Sequence, residues 1–419
     1  MGVPEHMRER FVAAQVRDAL NDTRIVMIQG ARQVGKSTLA AAVAAERSNR
    51  IVTLDDEASR AFASDDPVGF VTQFPEGLLV VDEIQRAPHL AIALKASVDR
   101  DKQAGRFLIT GSANLLDLTA TQESLAGRVE TISLESFSQG EIENRRGTFV
   151  DAVLNGLAQH GAHSDLTRED YLQIACDGGY PEALARSSFA RRTRWYDAYL
   201  TQVLNRDASD ISGLHRLADL PRIVRLIAAR AGTGMVWNAV ASEAGIPRRT
   251  LEPYVKLLET LYITHTLPAW TPNITGREVK QPKVFLRDTG LLAALLRLSP
   301  DGLRSPANRS MAGPLLESFV VGEVRRQLEW AHSRASLHHY RDSRGTEVDL
   351  VLEAPDGRIV GIEIKAAVTV QAKDIQGLAA LRDRLGARFV AGYVLHTGQD
   401  TQQAGDRIFA APLAILWRS

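Results

Sequence analysis

Eight consecutive residues constrain this chain more than any others. Gly30-Ala31-Arg32-Gln33-Val34-Gly35-Lys36-Ser37 fits GxxxxGK[ST] at every fixed position. The apolar run Arg24–Gln29 precedes it and an alanine-rich stretch, Ser37–Arg47, follows. A strand that enters a glycine-rich turn and leaves as a helix is the setting in which such a loop cradles phosphate. The glycines let the backbone wrap so that its N–H groups converge on an anion, and the helix N-terminus adds the positive end of its dipole. The pattern predicts an ATP and Mg2+ site built from Gly30, Ala31, Arg32, Gln33, Val34, Gly35, Lys36, Ser37 and Thr38. In it Lys36 is expected to bridge the β- and γ-phosphates, Ser37 to ligate magnesium, and Thr38 to assist.

The rest of such a site must come from other strands. Leu78-Leu79-Val80-Val81-Asp82-Glu83 is an apolar run with an acidic end. Asp82 is expected to hold magnesium through water, and Glu83 to act as general base on the attacking water. The competing reading is a solvated strand end followed by a turn, which an intact P-loop in the same chain weighs against. Phe107–Thr110 leads into Gly111-Ser112-Ala113-Asn114, where Ser112 or Asn114 would sense the γ-phosphate or else form a plain polar loop. Charge on the transferred phosphate calls for an arginine from the same or a neighbouring subunit. Arg128 is the first candidate and Arg86 the second; a simple surface charge is the alternative for each.

Together with Ile51–Leu54, these runs alternate with helix-length stretches through residues 1–147, the rhythm of a parallel sheet covered by helices on both faces. Length allows more domains after it, since 419 residues suffice for two to four. The 50 basic and 50 acidic residues cancel, so a nucleic acid or membrane partner would have to be met by a local patch. One cysteine, Cys176, excludes an intramolecular disulfide framework and reads as a small buried filler. No stretch has the roughly 18 apolar residues of a membrane helix, and the start lacks a secretory h-region, so a cytoplasmic location is expected.

The segments GARQVGKST, LLVVDEIQR, LITGSAN, SLAGRVETISLESFSQGE and CDGGYPEAL, in that order, resemble a family of bacterial and archaeal AAA-superfamily P-loop ATPases. Members carry a characteristic C-terminal region of poorly defined function. The likeness runs from about Arg24 to about Ala366; LAGR and GGYPE are its more specific parts. It implies ATP rather than GTP. The second arginine motif of many ring-forming AAA proteins is not recognisable, so a hexameric ring is not carried over.

Residues 148–210 read as a helical region containing the arginine-rich stretch Arg186–Arg194, for which a solvated helix face is the default. Residues 211–303 follow helix-turn-helix grammar: a helix over Val236–Ala244, a turn at Gly245-Ile246-Pro247, and a second helix over Arg248–Leu258 that contains Pro253. Leu261–Leu267 and Val284–Leu286 would form a wing. Arg248, Arg249 and Lys256 could meet phosphates of double-stranded DNA and Thr250 a base edge. A winged helix used only for packing is the alternative.

Residues 304–419 form the last expected domain. A helix carries Glu317, a strand carries Asp349, and a hairpin later Glu363-Ile364-Lys365 follows. This pattern resembles the core of PD-(D/E)xK nucleases. Alternate residues of a strand share a face, so Glu363 and Lys365 project together. Glu317, Asp349 and Glu363 are the expected metal ligands, with Asp349, Glu363 and Lys365 catalytic on a phosphodiester. A solvated hairpin with Glu363 paired to Lys365 is the bland alternative. His332, His338 and His339 are expected at the surface. The whole is an α/β chain: a P-loop NTPase parallel sheet, a helical and winged-helix middle, and a restriction-endonuclease-like α/β C-terminal domain. Its expected function is an ATPase coupled to DNA binding or metal-dependent cleavage; alternatives are a switch with an inert nuclease-like domain and an ATP-gated protein that binds a protein partner or itself.

Overall fold

The computed structural model describes residues 8–112, 125–157, 161–208, 217–272 and 281–418. They fall into two compact units, one of residues 1–136 with 260–262, the other of residues 137–259 and 263–419.

The first unit is built on a five-stranded sheet. Its strands are β1 (Ile25–Gln29), β2 (Asn49–Thr53), β3 (Leu78–Asp82), β4 (Phe107–Gly111) and β5 (Val129–Ser133), in the order β2-β3-β4-β1-β5. Every pairing is parallel. Helices α1 (Ala13–Asp22), α2 (Lys36–Ala44), α3 (Glu57–Asp65), α4 (Pro67–Thr72) and α5 (Leu90–Arg100) supply the crossovers and flanks. All five residues of β1 and of β4 are buried, so both strands read as unbroken apolar runs in the sequence. Edge strands β2 and β5 are partly exposed. Ile25, Met27, Leu79, Val81, Phe107 and Ile109 pack with Phe70, Leu90, Leu94 and Val98 in one apolar cluster.

The second unit opens with two short helices, Gln139–Glu143 and Phe149–Leu154, followed by α6 (Arg168–Asp177) and α7 (Phe189–Gln202). The GGYPE segment between them is a structural joint. Gly178 has φ +69°, and a Cβ there would lie 2.4 Å from both Asp288 Oδ1 and Tyr196 Oη. Asp288 ties the joint together: it accepts from Gly179 N at 2.9 Å and from Tyr196 Oη at 2.9 Å, and caps the following helix through Gly290 N at 3.0 Å. Cys176 is buried with its thiol toward Leu298 O at 3.7 Å, and burial pushes its pKa up to about 12, as suits a filler. In the arginine-rich stretch Arg191 and Arg194 are exposed, while Arg192 pairs with Asp177 at 2.7 Å.

Three helices follow, α8 (Leu220–Ala228), α9 (Trp237–Ala244) and α10 (Arg248–Thr260), then an antiparallel pair, β6 (Thr264–Leu267) and β7 (Lys283–Leu286). Gly234 bridges antiparallel to Lys283 and Met235 N donates to Pro282 O at 2.8 Å, so a third short segment joins the hairpin. Pro253 sits inside α10, which continues past it.

After α11 (Thr289–Leu295) comes α12 (Ala312–Leu328), then strands β8 (Ser336–Arg341), β9 (Glu347–Glu353) and β10 (Ile359–Lys365), helix α13 (Gln376–Leu385), β11 (Phe389–His396), β12 (Gln402–Gly405) and β13 (Ile408–Pro412). The six strands form one sheet, β12-β13-β11-β10-β9-β8. β8, β9 and β10 pair antiparallel, whereas β11 joins β10 in parallel across the α13 connection. His338 and His339 lie buried in β8, contrary to the expected surface position, because the strand is covered by Trp270 and its neighbours; His332 is exposed. Among the described residues no helix is long and apolar enough to cross a membrane.

Candidate functional sites

The parallel register of the first unit brings Gln29, Asp82 and Gly111 to the same end of the sheet, where open α/β sheets bind ligands. The loop from Gly30 to Gly35 leaves β1 there. Gly30 is required by close approach, since a Cβ would come 2.0 Å from Leu134 O, and Gly35 adopts φ +99°. Lys36 opens α2; its side chain is buried and Nζ donates to Gly30 O at 3.1 Å and Ala31 O at 2.8 Å, which holds the ammonium within the turn. Arg32 is half-buried, Val34 buried, and Gln33, Ser37 and Thr38 exposed.

Ser37 Oγ donates to Asp82 Oδ1 at 2.7 Å. Thr110 Oγ1, on the strand between them, donates to the same oxygen at 2.6 Å, and Thr53 Oγ1 reaches Asp82 Oδ2 at 3.5 Å. A carboxylate and hydroxyls from three strands and a helix thus converge. These are hard oxygen donors of the kind Mg2+ takes while keeping several waters, so the residues fit the ion.

Glu83 follows in the left-handed region, φ 60° and ψ 47°. A non-glycine residue there stores strain of the kind that collects at working sites. Its backbone N–H donates to Thr110 Oγ1 at 3.1 Å, and Gln85 Nε2 donates to its carboxylate. Gln85 also donates to Ser112 Oγ at 2.7 Å and accepts from Ser112 N at 3.3 Å. Ser112 therefore lies beside Glu83 and Gln85; Asn114 lies outside the described residues. Gln85 was not singled out from the sequence, and neither was Arg10, whose guanidinium donates to Val34 O at 2.7 Å and Glu135 O at 2.6 Å. Gln85 falls within the LLVVDEIQR segment, whereas Arg10 stands outside every segment singled out from the sequence.

Arg128 lies at the opposite end of β5 from the loop. It precedes β5, whose far end, Ser133, is the one beside Gln29. Five residue steps at about 3.3 Å each put roughly 16 Å between it and the loop end of the sheet. It forms a two-pronged ion pair with Asp99, at 2.6 and 2.9 Å. Arg86 pairs with Asp55 at 3.2 Å.

The second unit brings together the C-terminal residues named from the sequence. Asp349 Oδ2 accepts from Ile364 N at 2.8 Å, which seats it beside Glu363, and Lys365 Nζ lies 2.7 Å from Glu363 Oε1. Glu317 of α12 completes the group. A residue the sequence did not point to lies at its centre. Lys283 of β7, 1% exposed, places Nζ 2.8 Å from Glu317 Oε1, 2.8 Å from Glu347 Oε1 and 3.7 Å from Asp349 Oδ1. Burial pulls the Lys283 ammonium toward neutrality, but the three carboxylates more than offset it and hold it charged. Burial, with Asp349 close by, pushes Glu317 up to about 8 against the pull of Lys283. Burial and Asp349 likewise push Glu363 up to about 7, and its Oε2 is buried with no hydrogen-bond partner. Glu317, Asp349 and Glu363 do not form the expected metal set: among the described residues no group of three or more His, Cys, Asp or Glu is arranged to hold a metal ion. Lys283 Nζ lies among Glu317, Glu347 and Asp349, and Lys365 Nζ beside Glu363.

Beside this cluster opens a cavity of about 500 Å3 lined by Gln281, Lys283, His339, Arg341, Glu347 and Arg384, among others. On α10, Arg249, Glu252 and Lys256 lie on the exposed face, while Arg248 is half-buried, paired with Glu252 at 2.7 Å and over the Trp237 ring.

With the sheet order, the P-loop and its acidic partner in place, the comparisons with known proteins fit this geometry. Residues 22–143, most of the first unit, match the family model described as an AAA domain. Residues 168–302 and 312–416 match two domains of unknown function, DUF8612 and DUF4143. The chain is 29% identical over 407 residues to the uncharacterized protein Rv2008c of Mycobacterium tuberculosis, covering 97% of this chain and 84% of that protein. The same figures hold for the uncharacterized protein Mb2031c of Mycobacterium bovis. Among solved structures, the Walker-type ATPase PABY2304 of Pyrococcus abyssi superposes with a TM-score of 0.44 at 16% identity, covering 70% of this chain and 97% of that one.

Proposed function

We propose that this protein hydrolyses Mg2+-ATP and uses the cycle to switch its hold on double-stranded DNA, which it binds without cutting. The observation that carries the ATPase half is the convergence of Ser37, Asp82 and Glu83 beside a buried Lys36. In this reading the loop N–H groups and Lys36 neutralise the β- and γ-phosphates. Ser37 and Asp82 would hold a magnesium ion, whose charge would be the counterpart of that developing on the phosphate oxygens. Glu83 accepts a proton from the attacking water, and Gln85 and Ser112 fix the direction of its carboxylate. Arg128, which cannot reach its own nucleotide, serves a neighbouring copy.

Support for the DNA half comes from the second unit. Three helices, a bridged segment at Gly234 and the β6–β7 hairpin follow one another in the order of a winged helix, with Arg249 and Lys256 on the exposed face of its last helix. The α12-β8-β9-β10-α13-β11 order, antiparallel through β10 and parallel to β11, agrees with a PD-(D/E)xK-like core. The domain divisions near residues 147, 210 and 303 belong to this reading. Lys283 among the carboxylates favours binding over cleavage.

Fluorescence anisotropy with linear duplex DNA at low salt tests it, run with a non-hydrolysable ATP analogue and with ADP. We expect affinities that differ several-fold between the two nucleotides, ATP turnover by the wild type and none by Lys36→Ala. Replacing both Arg249 and Lys256 with alanine should flatten the salt dependence by about 2 in log–log slope. Equal affinity in both nucleotide states ends the switch; no DNA binding at all moves the reading to a protein partner.

A further inference from the structure

Each carboxylate expected to ligate metal in the C-terminal domain already faces an ammonium of the same chain. Lys283 serves Glu317 and Asp349, and Lys365 serves Glu363. Lys283 cannot easily swing away. Its backbone pairs with Leu267 of β6 and is bridged to Gly234, and its side chain is 1% exposed. We propose that Lys283 is the resident cation of this site: its ammonium stands where a divalent ion would be held between Glu317 and Asp349, so the wild-type site takes no metal.

The chemistry is one of charge and space. A divalent ion bound by carboxylates sits about 2.0–2.6 Å from their oxygens. With an ammonium 2.8 Å from Glu317 Oε1 and from Glu347 Oε1, an added ion would be pressed against a like charge in a buried place, where repulsion is poorly screened. Conversely, a cation among these carboxylates stabilises their charged forms, because buried charge is tolerated only when paired. Lysine supplies it as a tethered point charge with three donors, two of which Glu317 and Glu347 use. Removing that charge should make the cluster a metal site.

The inference rests on the nuclease-like reading of this domain, but its test reads metal binding and so fails separately from DNA binding. Mn2+ is titrated into the nucleotide-free full-length chain and the free ion followed by electron paramagnetic resonance. All proteins carry Asp82→Asn, which removes the carboxylate of the ATP site. We expect no stoichiometric uptake by this parent, one Mn2+ per chain bound at least about tenfold tighter on adding Lys283→Ala, and loss of that ion on adding Glu317→Gln as well. Because Lys283→Ala leaves carboxylates facing one another, its thermal unfolding is measured with and without Mn2+. The ion should raise its Tm by several degrees and leave the parent unmoved. One Mn2+ bound by the parent and lost with Asp349→Asn overturns the proposal, as does a Lys283→Ala chain that Mn2+ neither binds nor stabilises.

Discussion

Ser37 Oγ and Asp82 Oδ1 lie 2.7 Å apart, joining the first turn of the P-loop helix to the tip of a strand two places away in the sheet. The contact puts hydroxyl and carboxylate where one ion can use both. Asp82→Asn and Glu83→Gln should each lower ATP turnover by about 10²–10⁴-fold. Glu83→Gln should leave ATP affinity within a few-fold, whereas Asp82→Asn should also raise the Mg2+ concentration needed for half-maximal rate. Steady-state ATPase assays with magnesium titration decide it, and a Glu83→Gln chain of normal rate would remove Glu83 from the base role.

Gln85 is a positioning residue in this scheme, since it holds the Glu83 carboxylate and Ser112 together. Small misplacements of a reacting group can cost up to about 10²-fold. Gln85→Ala is expected to lower kcat about tenfold while KM for ATP stays within twofold, and Gln85→Glu should not rescue it, because a second carboxylate repels the first. An unchanged kcat would mean that the amide only fills space.

Arg128 gives an assembly test. Its removal should cost about 10³-fold or more in turnover if it serves a neighbouring site. Arg128→Ala has an intact P-loop and Lys36→Ala an intact arginine, so mixing the two inactive proteins should restore part of the activity. Full activity of Arg128→Ala alone would make the Asp99 pair a surface feature.

Glu323 carries the clearest pH signature of stability away from both sites. It is fully buried, accepts from Gln139 N at 3.0 Å and pairs with Arg326 at 3.1 Å. Burial pushes its pKa from 4.5 to about 7 even so. A raised carboxyl pKa means that the folded state keeps a proton the unfolded chain has lost. Its contribution is therefore full below about pH 4.5 and falls away as pH rises to about 7, by about 3 kcal/mol at 1.36 kcal/mol per unit. Urea unfolding from pH 5 to pH 8 should show this slope in the wild type and not in Glu323→Gln; parallel curves would count against it.

What was legible in the sequence was local. The P-loop, Asp82 and Glu83 announce themselves because fixed spacing within a few residues sets their geometry, and β1, β3 and β4 because burial on both faces makes them unbroken apolar runs. β5 was not read as a strand, since a partly exposed edge strand offers only Val129 and Ile132. β8 hid behind its histidines. The Asp349, Glu363 and Lys365 grouping followed from strand periodicity. Lys283 could not, because its nearest partner, Glu317, is 34 residues away on a different element. The same holds for Arg10, which reaches 125 residues to Glu135.

The Lys283 bridge also bears on how this chain can be divided. A fragment cut where the last domain begins, near residue 304, keeps Glu317, Glu347 and Asp349 but leaves their counter-charge on the discarded piece. Buried carboxylates deprived of a partner must protonate, capture an ion or loosen the surrounding fold. The hairpin thus supplies the charge that the terminal sheet's carboxylates face, and the fragment alone would acquire properties the intact protein does not have.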